Sequence, residues 1–391
     1  MKAIINTKLV MEEGIIWDGA LTYDGGKIVQ VGHSSEVSVP ADAEIIDAGG
    51  LYTAPGLVDI HNHGGGEKKF AEDPMYCARY FLAHGVTSVL ATFYHDMGME
   101  EMLAGAQRVR EASQTGAGRI IEGLYMEGPF MKLIGSQANH IKWQGASPRE
   151  EYTRLVDGVC DIAKVWAIAP ERENIEEIMT YIREKDPRAV FAHGHSSCEA
   201  EKVRALEHFG IKVRTHIGDA GQAKGRAQGT PGGGGDQYCL NNPDMYAELI
   251  CDETGVHVVP ELIKMFVRAK GVEKICLISD SMPKDNDYKN SEELGIWYGP
   301  DLNYDDMGKL SGSRMTLENG VRNMMTHTGY GLCHSIRMAT LNPARLLGID
   351  HRVGSLKAGK SANLIIIDDT VGVKKVILQG ETVAENGQLL I

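Results

Sequence analysis

Short apolar runs alternate with longer segments of helical pattern through the middle of this chain. Segments 99–112 and 173–185 repeat their apolar residues at helical spacing, whereas the runs between such segments have the length of buried strands. The predicted strands are residues 57–63, 87–92, 123–127, 164–169, 189–195, 213–216, 256–260 and 275–280. Eight strands that alternate with helices predict an α/β fold in which a parallel sheet closes into a (β/α)8 barrel, the TIM barrel, over residues 55–351.

The two ends of the chain have a different pattern, in which short alternating strands are broken by glycines. Within residues 1–54, the turn signals at 24–26 and 49–50 predict β-hairpins. Residues 352–391 contain a turn-rich segment that leads into a strongly apolar strand, and a further strand follows at 374–378. We therefore predict that the two ends together form a small β-sandwich domain beside the barrel domain.

Composition and charge narrow the classes of partner. The 391 residues carry a formal net charge of −13, which disfavours nucleic acid and anionic membranes because both attract a broad basic surface. The seven cysteines include no Cys-X-X-Cys pair, which argues against a disulfide framework and favours a reducing cytoplasm. The N-terminus lacks the apolar core of a signal peptide, and no run approaches the roughly 18 apolar residues of a membrane span. These observations predict a soluble, cytoplasmic protein with a small-molecule substrate.

Side chains that can bind metal lie near the ends of successive predicted strands: His61, His63, Glu127, His195, His216 and Asp280. In a TIM barrel, the carboxyl ends of the strands carry the catalytic groups. His61 and His63 are separated by one residue, so a strand places both imidazoles on one face, about 6.6 Å apart, where they can bind one cation. Imidazole combined with carboxylate favours a divalent transition metal such as zinc or iron. The pattern predicts a hydrolytic metal site.

The same residues have alternative interpretations. The histidines can instead be satisfied members of the core, Glu127 a solvated surface residue and Asp280 the N-cap of a helix. His193 lies two residues before His195 on the same face, and the spacing does not decide which of them is the ligand. Four consecutive glycines at 232–235 predict either a flexible surface loop or a lid or anion-binding nest of backbone amides.

Several short motifs follow one another along almost the whole chain: PGLVDIHNHG from residue 55, EGPF from 127, GHS from 194, TH from 215, GVHV from 255, SD from 279 and LSGS from 310. In this order they make the chain resemble the N-acetylglucosamine-6-phosphate deacetylases of the amidohydrolase superfamily. Each motif alone is weak evidence for this family, whereas their order along the chain is specific to it. The resemblance implies a TIM barrel, a homodimer and a function in amino sugar metabolism.

The resemblance also implies which residues bind metal. Three residues would hold the catalytic ion: Glu127, His195 and His216. The pair His61 and His63 would add a second ion. It selects His195 over His193. Many relatives in the superfamily bridge two ions with a modified lysine on the fourth strand, but the strand at 164–169 has no lysine near its end, so Glu127 would be the bridge.

For the reaction, the resemblance implies that Asp280 accepts the proton of the attacking water and returns it to the departing amine. An amide needs that second transfer because an amine anion is a poor leaving group. His140 resembles the family's histidine that polarises the substrate carbonyl. The residues implied in substrate binding are Arg226 and His257, for a phosphate, and Ala220 and Leu310, for other contacts with the substrate.

The chain departs from the family's pattern directly after His216. Relatives continue through an aromatic residue to Asn-Ala-Met, whereas residues 217–221 of this chain are IGDAG. Asp219 and Asp236 would add negative charge beside a phosphate, which is unfavourable unless these carboxylates point away from it. The departure therefore concerns the part of the pocket that sets specificity.

The leading hypothesis is a metal-dependent amide hydrolase that deacetylates an amino sugar phosphate such as N-acetylglucosamine 6-phosphate. The first alternative is the same apparatus acting on another N-acylated small molecule or a cyclic amide. A deaminase is disfavoured because the His-X-X-Glu spacing of a proton shuttle occurs only at His33 and Glu36, outside the barrel. A barrel that binds ligands without turnover predicts missing metal ligands, whereas every expected type of ligand is present.

Overall fold

The computed structural model describes residues 1–132, 142–143, 145–221, 232–283, 299–305 and 308–391. Its strands are β1 (Lys2–Val10), β2 (Ile15–Asp24), β3 (Lys27–His33), β4 (Glu44–Asp47), β5 (Tyr52–Pro55), β6 (Leu57–Asp59), β7 (Gly64–Gly65), β8 (Lys68–Lys69), β9 (Val86–Tyr94), β10 (Ile121–Glu127), β11 (Ala163–Ile168), β12 (Val190–His193), β13 (Ile211–Arg214), β14 (Tyr246–Ile250), β15 (Ile275–Ile278), β16 (Leu302–Tyr304), β17 (Leu310–Ser313), β18 (Leu364–Ile367), β19 (Val373–Leu378), β20 (Glu381–Glu385) and β21 (Gln388–Leu389). Its helices are α1 (Pro74–Ala83), α2 (Met99–Ala112), α3 (Arg149–Val159), α4 (Ile175–Lys185), α5 (Ala200–Ala205), α6 (Gly235–Asn241), α7 (Pro260–Lys270), α8 (Leu317–Thr328), α9 (Leu332–Met338) and α10 (Leu341–Leu346). None of these helices has both the length and the apolar composition needed to cross a membrane.

Eight parallel strands form the barrel in the order β6, β9, β10, β11, β12, β13, β14 and β15, so the predicted TIM barrel is confirmed. Alternate residues of a strand face opposite sides of the barrel wall. On β11, Val165 and Ala167 belong to the apolar interior of the barrel, whereas Trp166 and Ile168 pack in the layer between the wall and the helices. The continuous apolar run of this strand follows from burial on both faces.

The barrel closes between β15 and β6 just beyond the ends of these strands. The amide of Asp280 donates a hydrogen bond to the carbonyl of His61 over 2.9 Å. Beside it, the hydroxyl of Ser279 donates to the carboxylate of the buried Asp59 over 2.6 Å. These bonds hold candidate ligands of the first and the last strand next to each other.

One predicted barrel strand is wrong. The seventh strand is β14, and residues 256–260 form a turn and the start of α7. The carboxylate of Asp252 accepts hydrogen bonds from two backbone amides of this segment, which produces a turn instead of a strand. The pattern also concealed β14, because the buried Glu248 interrupts its apolar run.

The two chain ends form one nine-stranded sheet from β1–β5 and β18–β21. On β18, Leu364 and Ile366 pack in an apolar core shared with β1–β3, whereas Ile365 and Ile367 join the core that continues into the barrel. The predicted hairpin at 24–26 joins β2 and β3. The hairpin predicted at 49–50 is wrong: β4 and β5 both pair in parallel with β1, so the two glycines carry the chain onward along that strand.

Candidate metal centre

The structure brings six of the predicted residues together at the carboxyl ends of the barrel strands. All six are buried, and their ligand atoms form two groups that share one carboxylate: His61, His63, Glu127 and Asp280, then Glu127, His195 and His216. Glu127 is the last residue of β10, in the third position of the barrel. The carboxyl ends of the strands are where enzymes of this fold carry their catalytic groups.

Three of these residues leave their strands in an unusual backbone conformation. His195, His216 and Asp280 each lie two residues beyond a strand end, with φ angles of +42°, +25° and +47°. Residues other than glycine rarely adopt this left-handed conformation, and strained positions of this kind cluster at functional sites. The sharp turn directs each side chain from the wall of the barrel into its mouth.

The carboxylate of Glu127 lies between two pairs of histidines. Its Oε1 atom is 3.0 Å from Nε2 of His195 and 3.0 Å from Nε2 of His216. Its Oε2 atom is 3.2 Å from Nε2 of His61 and 3.1 Å from Nε2 of His63. Each oxygen therefore faces its own pair, which is the arrangement of a carboxylate that bridges two cation positions.

Asp280 completes the group around His61 and His63. Its Oδ1 atom lies 3.1 Å from Nε2 of His63 and 3.6 Å from Nε2 of His61. Burial by itself raises the pKa of Asp280, but the close contact with the imidazole of His63 and the nearby charge of His61 outweigh burial and lower it. An ionised carboxylate next to the candidate ions is the state that a general base requires.

Buried polar atoms that lack a well-directed hydrogen bond indicate whether a metal fits this cluster. Among the described residues, His61 Nε2, Glu127 Oε2 and Asp280 Oδ1 are buried and make close ion-pair contacts, but none of them makes a well-directed hydrogen bond. On the other side of Glu127, the Nε2 atoms of His195 and His216 are only 3.1 Å apart. Tetrahedral ligands bound to zinc at about 2.0–2.2 Å lie roughly 3.3 Å from one another. The donor types and their spacing therefore fit a divalent transition metal on each side of Glu127.

The electrostatics of the cluster also favour cations. Burial lowers the pKa of His61, but the charges of Glu127 and Glu248 outweigh burial and raise that pKa well above its usual value. Burial raises the pKa of Glu127, but the charge of His61 and the hydrogen bonds from His195 and His216 bring it well below its usual value. The centre therefore stabilises positive charge, whether protons or metal ions supply it.

Glu248 is a functional candidate that sequence reasoning missed. It is fully buried on β14, and its Oε2 atom accepts a hydrogen bond from Nδ1 of His61 over 3.0 Å. The hydroxyl of Tyr125 lies 3.4 Å from the same oxygen. A carboxylate behind a histidine ligand orients the ring and raises its basicity. The available signal was a lone carboxylate inside an apolar run, at a place where no strand was predicted.

The structure separates the two histidines that spacing could not distinguish. His193 is the last residue of β12, is fully buried, and lies with Nε2 3.9 Å from Sγ of Cys198. Burial and the nearby Arg214 lower the pKa of His193 well below its usual value. His195 reaches Glu127 instead, because the chain leaves the strand between the two residues.

A pocket of about 350 Å³ opens over the cluster, and its lining includes Ala220, Leu310 and His257, whose contact with a substrate stays a prediction. Both ring nitrogens of His257 have protein partners, since Nδ1 lies 3.1 Å from a carboxylate oxygen of Asp252 and Nε2 lies 3.1 Å from the carbonyl of Gly312. Burial lowers the pKa of His257, but these hydrogen bonds and nearby carboxylates outweigh burial and raise it to about 9.

Charges of both signs line the same pocket. Asp219 lies with Oδ2 3.7 Å from Nδ1 of His216, and Lys309 lines the rim. The predicted His140 and Arg226 lie outside the described residues. A polar substrate in this pocket would therefore lie next to the candidate ions at one end, and next to one acidic side chain, Asp219, and one basic side chain, Lys309, along its walls.

The fold and the cluster together define a TIM-barrel protein with a candidate two-metal centre at the carboxyl ends of its strands. The model of the Amidohydrolase family matches residues 52–383, and the chain belongs to this family. The family match covers the whole barrel and, in the sheet formed by the chain ends, β5, β18, β19 and part of β20.

Relatives within this family are similar along nearly their whole length. The N-acetylglucosamine-6-phosphate deacetylase of Bacillus subtilis is 27% identical over 395 residues, which covers 95% of this chain and 94% of the relative. The N-acetylgalactosamine-6-phosphate deacetylase of Escherichia coli O157:H7 is 28% identical over 393 residues, which covers 96% of this chain and 97% of the relative.

A solved structure supports the same relationship. A mutant of N-acetyl-D-glucosamine-6-phosphate deacetylase from Mycobacterium smegmatis, in complex with N-acetyl-D-glucosamine-6-phosphate, superposes with a TM-score of 0.81 at 25% identity. The match covers 98% of this chain and 99% of the other.

Proposed function

We propose that this protein is a metal-dependent amide hydrolase that removes the acetyl group from an N-acetylated amino sugar 6-phosphate. The observation that carries the proposal is the position of Glu127 between two histidine pairs, with Asp280 beside one pair and a pocket above the cluster. The named relatives act on N-acetylglucosamine 6-phosphate or N-acetylgalactosamine 6-phosphate. These substrates differ only in the configuration of one hydroxyl, so the proposal covers both.

Each side of Glu127 would hold one ion. His195 and His216 would bind one ion together with Oε1, and His61 and His63 would bind the other together with Oε2. Nitrogen and carboxylate donors in this combination suit zinc or iron. When bound, such an ion lowers the pKa of a bound water from 15.7 towards about 7 and stabilises the negative charge that develops on the substrate carbonyl oxygen.

Asp280 would move the proton that the reaction requires. Its carboxylate takes a proton from the attacking water and gives it to the amine nitrogen as the carbon–nitrogen bond breaks. The backbone holds Asp280 on both sides, because its amide donates to the carbonyl of His61 over 2.9 Å and its own carbonyl accepts the amide of Ser313 over 2.7 Å. This fixed position allows one group to serve both transfers.

The remaining roles concern the sugar and its phosphate. Ala220 and Leu310 would pack against the sugar, and Lys309 and His257 would supply positive charge for the phosphate. His140 and Arg226 remain predictions for polarising the carbonyl and for binding the phosphate. We further propose a cytoplasmic homodimer with zinc or iron as its ion, which the unpaired cysteines and the family resemblance support.

One observation favours the alternative substrate class. Asp219 lines the pocket at the point where the chain departs from the family's pattern, and its carboxylate would repel a phosphate placed close to it. A different N-acylated small molecule without a phosphate would avoid this repulsion. The alternative keeps the same metal centre and the same proton transfers.

Acetate release by metal-loaded protein tests the proposal. The panel consists of N-acetylglucosamine 6-phosphate, N-acetylgalactosamine 6-phosphate and the two unphosphorylated sugars, with elemental analysis of the same sample. We expect stoichiometric acetate from at least one phosphorylated sugar, and loss of activity after chelation with recovery on addition of zinc or iron. Acetate from the unphosphorylated sugars alone would favour the alternative, and no acetate from any of them with a fully loaded centre would overturn the proposed substrate.

A further inference from the structure

Arg214 is a buried arginine that the candidate metal centre does not use directly. It is the last residue of β13, and none of its surface is exposed. Its Nε atom donates to the carboxylate of Asp236 over 2.7 Å. The two terminal nitrogens donate to four backbone carbonyls: those of His193 at 2.9 Å, Thr215 at 3.1 Å, Ala220 at 2.8 Å and Gly221 at 3.5 Å. A guanidinium has five N–H donors, so every donor has an acceptor.

The acceptors belong to two functional parts of the molecule. The carbonyls of His193 and Thr215 lie at the ends of the two strands that present His195 and His216 to Glu127. The carbonyls of Ala220 and Gly221 belong to residues 218–221, here called the pocket wall, which contribute three residues to the lining of the pocket. Arg214 therefore connects the pocket wall to the strands that carry two of the candidate ligands.

Asp236 completes this connection. While Oδ1 accepts from Arg214, Oδ2 accepts the amide of Gly218 at the start of the pocket wall over 3.2 Å. The Arg214–Asp236 pair thus binds the pocket wall at its first residue and at its last two residues. A planar guanidinium with a carboxylate partner is a stiff connector, because several hydrogen bonds fix its orientation.

Glycines make this packing possible. Gly221 has a φ of +94°, and a Cβ atom added to it would lie 2.4 Å from the carbonyl oxygen of Ser196. At the start of α6, a Cβ on Gly235 would lie 1.9 Å from Cε1 of His193. Gly235, the last of the four consecutive glycines, therefore lets α6 begin directly against β12, which brings Asp236 to Arg214.

We propose that the Arg214–Asp236 pair is a positioning unit that sets the pocket wall and thereby the discrimination between substrates. Neither residue is assigned contact with the reacting atoms. The pair acts through Asp219, Ala220 and Gly221, in the stretch where this chain departs from its family. The specificity part of this inference rests on the proposed function, whereas the positioning of the pocket wall does not.

The test compares Asp236→Asn with Asp244→Asn in the full-length, metal-loaded protein. Asp236→Asn keeps the size of the side chain and removes the charge that pairs with Arg214. Asp244 is an exposed residue shortly after α6 and serves as the control for the same chemical change. Four quantities are measured: hydrogen exchange of the amides in residues 217–221, metal content, and kcat and KM for both N-acetylhexosamine 6-phosphates.

We expect faster exchange of amides 217–221 in Asp236→Asn, with unchanged metal content. We also expect a fall in kcat/KM of about ten- to a hundredfold, mainly through KM and unequal for the two sugars, since small displacements in a binding site have effects of this size. A purely structural role predicts a smaller active fraction with KM and the ratio between the sugars unchanged, and this result would overturn the proposal.

The exchange measurement separates the two proposals. If neither sugar is hydrolysed, the proposed function fails, but faster exchange in residues 217–221 still supports positioning by the pair. If exchange in these residues matches the Asp244→Asn control, positioning fails whatever the activity. Should Asp236→Asn fold poorly, Arg214→Lys provides a second variant, because it keeps the charge and loses the fork that reaches both carbonyls of the pocket wall.

Discussion

Glu248 accepts a hydrogen bond from Nδ1 of His61 over 3.0 Å, and both residues are fully buried inside the barrel. Because Nδ1 donates to Glu248, Nε2 is the nitrogen of His61 that is left to bind a metal, and it faces Glu127. The tautomer and the direction of a candidate ligand on the first strand are therefore set by a carboxylate on the seventh. A partner of this kind is part of a metal site even though it does not touch the ion.

We expect Glu248→Gln to weaken metal binding about ten- to a hundredfold, since removal of such a partner typically has this effect. The measurement is metal retained against a series of chelator concentrations. Glu261→Gln, at an exposed position on α7, is the matched control. Equal retention by both variants would show that Glu248 does not support the site.

The shared carboxylate of Glu127 predicts two cation positions per chain. We expect elemental analysis of the saturated protein to give two ions per chain, and the His61→Asn, His63→Asn double variant to lose one of them. His195→Asn should instead affect the ion on the other side of Glu127 and abolish turnover. A double variant with the same metal content as the unaltered protein would refute the assignment.

Replacement of the candidate general base separates chemistry from binding. We expect Asp280→Asn to lower kcat by about 10²–10⁴-fold, the usual contribution of acid–base catalysis, with a smaller change in KM. The amide cannot accept the water's proton, so the fall of kcat at acid pH that reflects protonation of Asp280 should also disappear. Unchanged kcat at saturating metal would exclude Asp280 from both proton transfers.

The glycine run offers a pair of matched substitutions. Gly235→Ala would place a Cβ atom 1.9 Å from Cε1 of His193, whereas a Cβ on Gly233 meets no atom of the described residues within 4 Å. We expect Gly235→Ala to reduce the free energy of unfolding by about 1–3 kcal/mol through overpacking, and Gly233→Ala to change it little. Denaturant unfolding of the two variants measures the difference, and equal effects would contradict the packing described for α6.

The His257–Asp252 pair predicts a dependence of stability on pH. The pKa of His257 is raised from 6.5 to about 9 in the folded protein, so its stabilising contribution is complete below about pH 6.5 and is lost as the pH rises through 9. At about 1.4 kcal/mol per unit, the difference of 2.5 units corresponds to an effect on the order of 3 kcal/mol.

This pH effect is measured as the difference in unfolding free energy between the unaltered protein and His257→Asn. We expect the difference to be larger at pH 6 than at pH 10. A difference that stays constant across this range would show that His257 is not held in its charged form.

Most of the barrel was predictable because strand burial and helical spacing are local properties of the sequence. The helix at 99–112 has the predicted bounds, and seven of the eight predicted strands overlap strands of the barrel. The seventh strand was not predicted because its buried carboxylate, Glu248, has its hydrogen-bond partners in His61 and Tyr125, which lie far away in the sequence. The local pattern of apolar and polar residues cannot reveal a hydrogen-bond partner that is distant in the sequence.

The sequence by itself determined the barrel, the residue types that gather at its mouth and the family to which the chain belongs. Only the tertiary structure decided how His195, which the family resemblance selects over His193, reaches Glu127, because a left-handed turn after β12 ends the alternation of the strand. It also decided how Arg214 and Asp236 hold the pocket wall, since these contacts join segments that become neighbours only when the barrel closes. Alternation and spacing are short-range properties, whereas the pairing of buried charges depends on the whole fold.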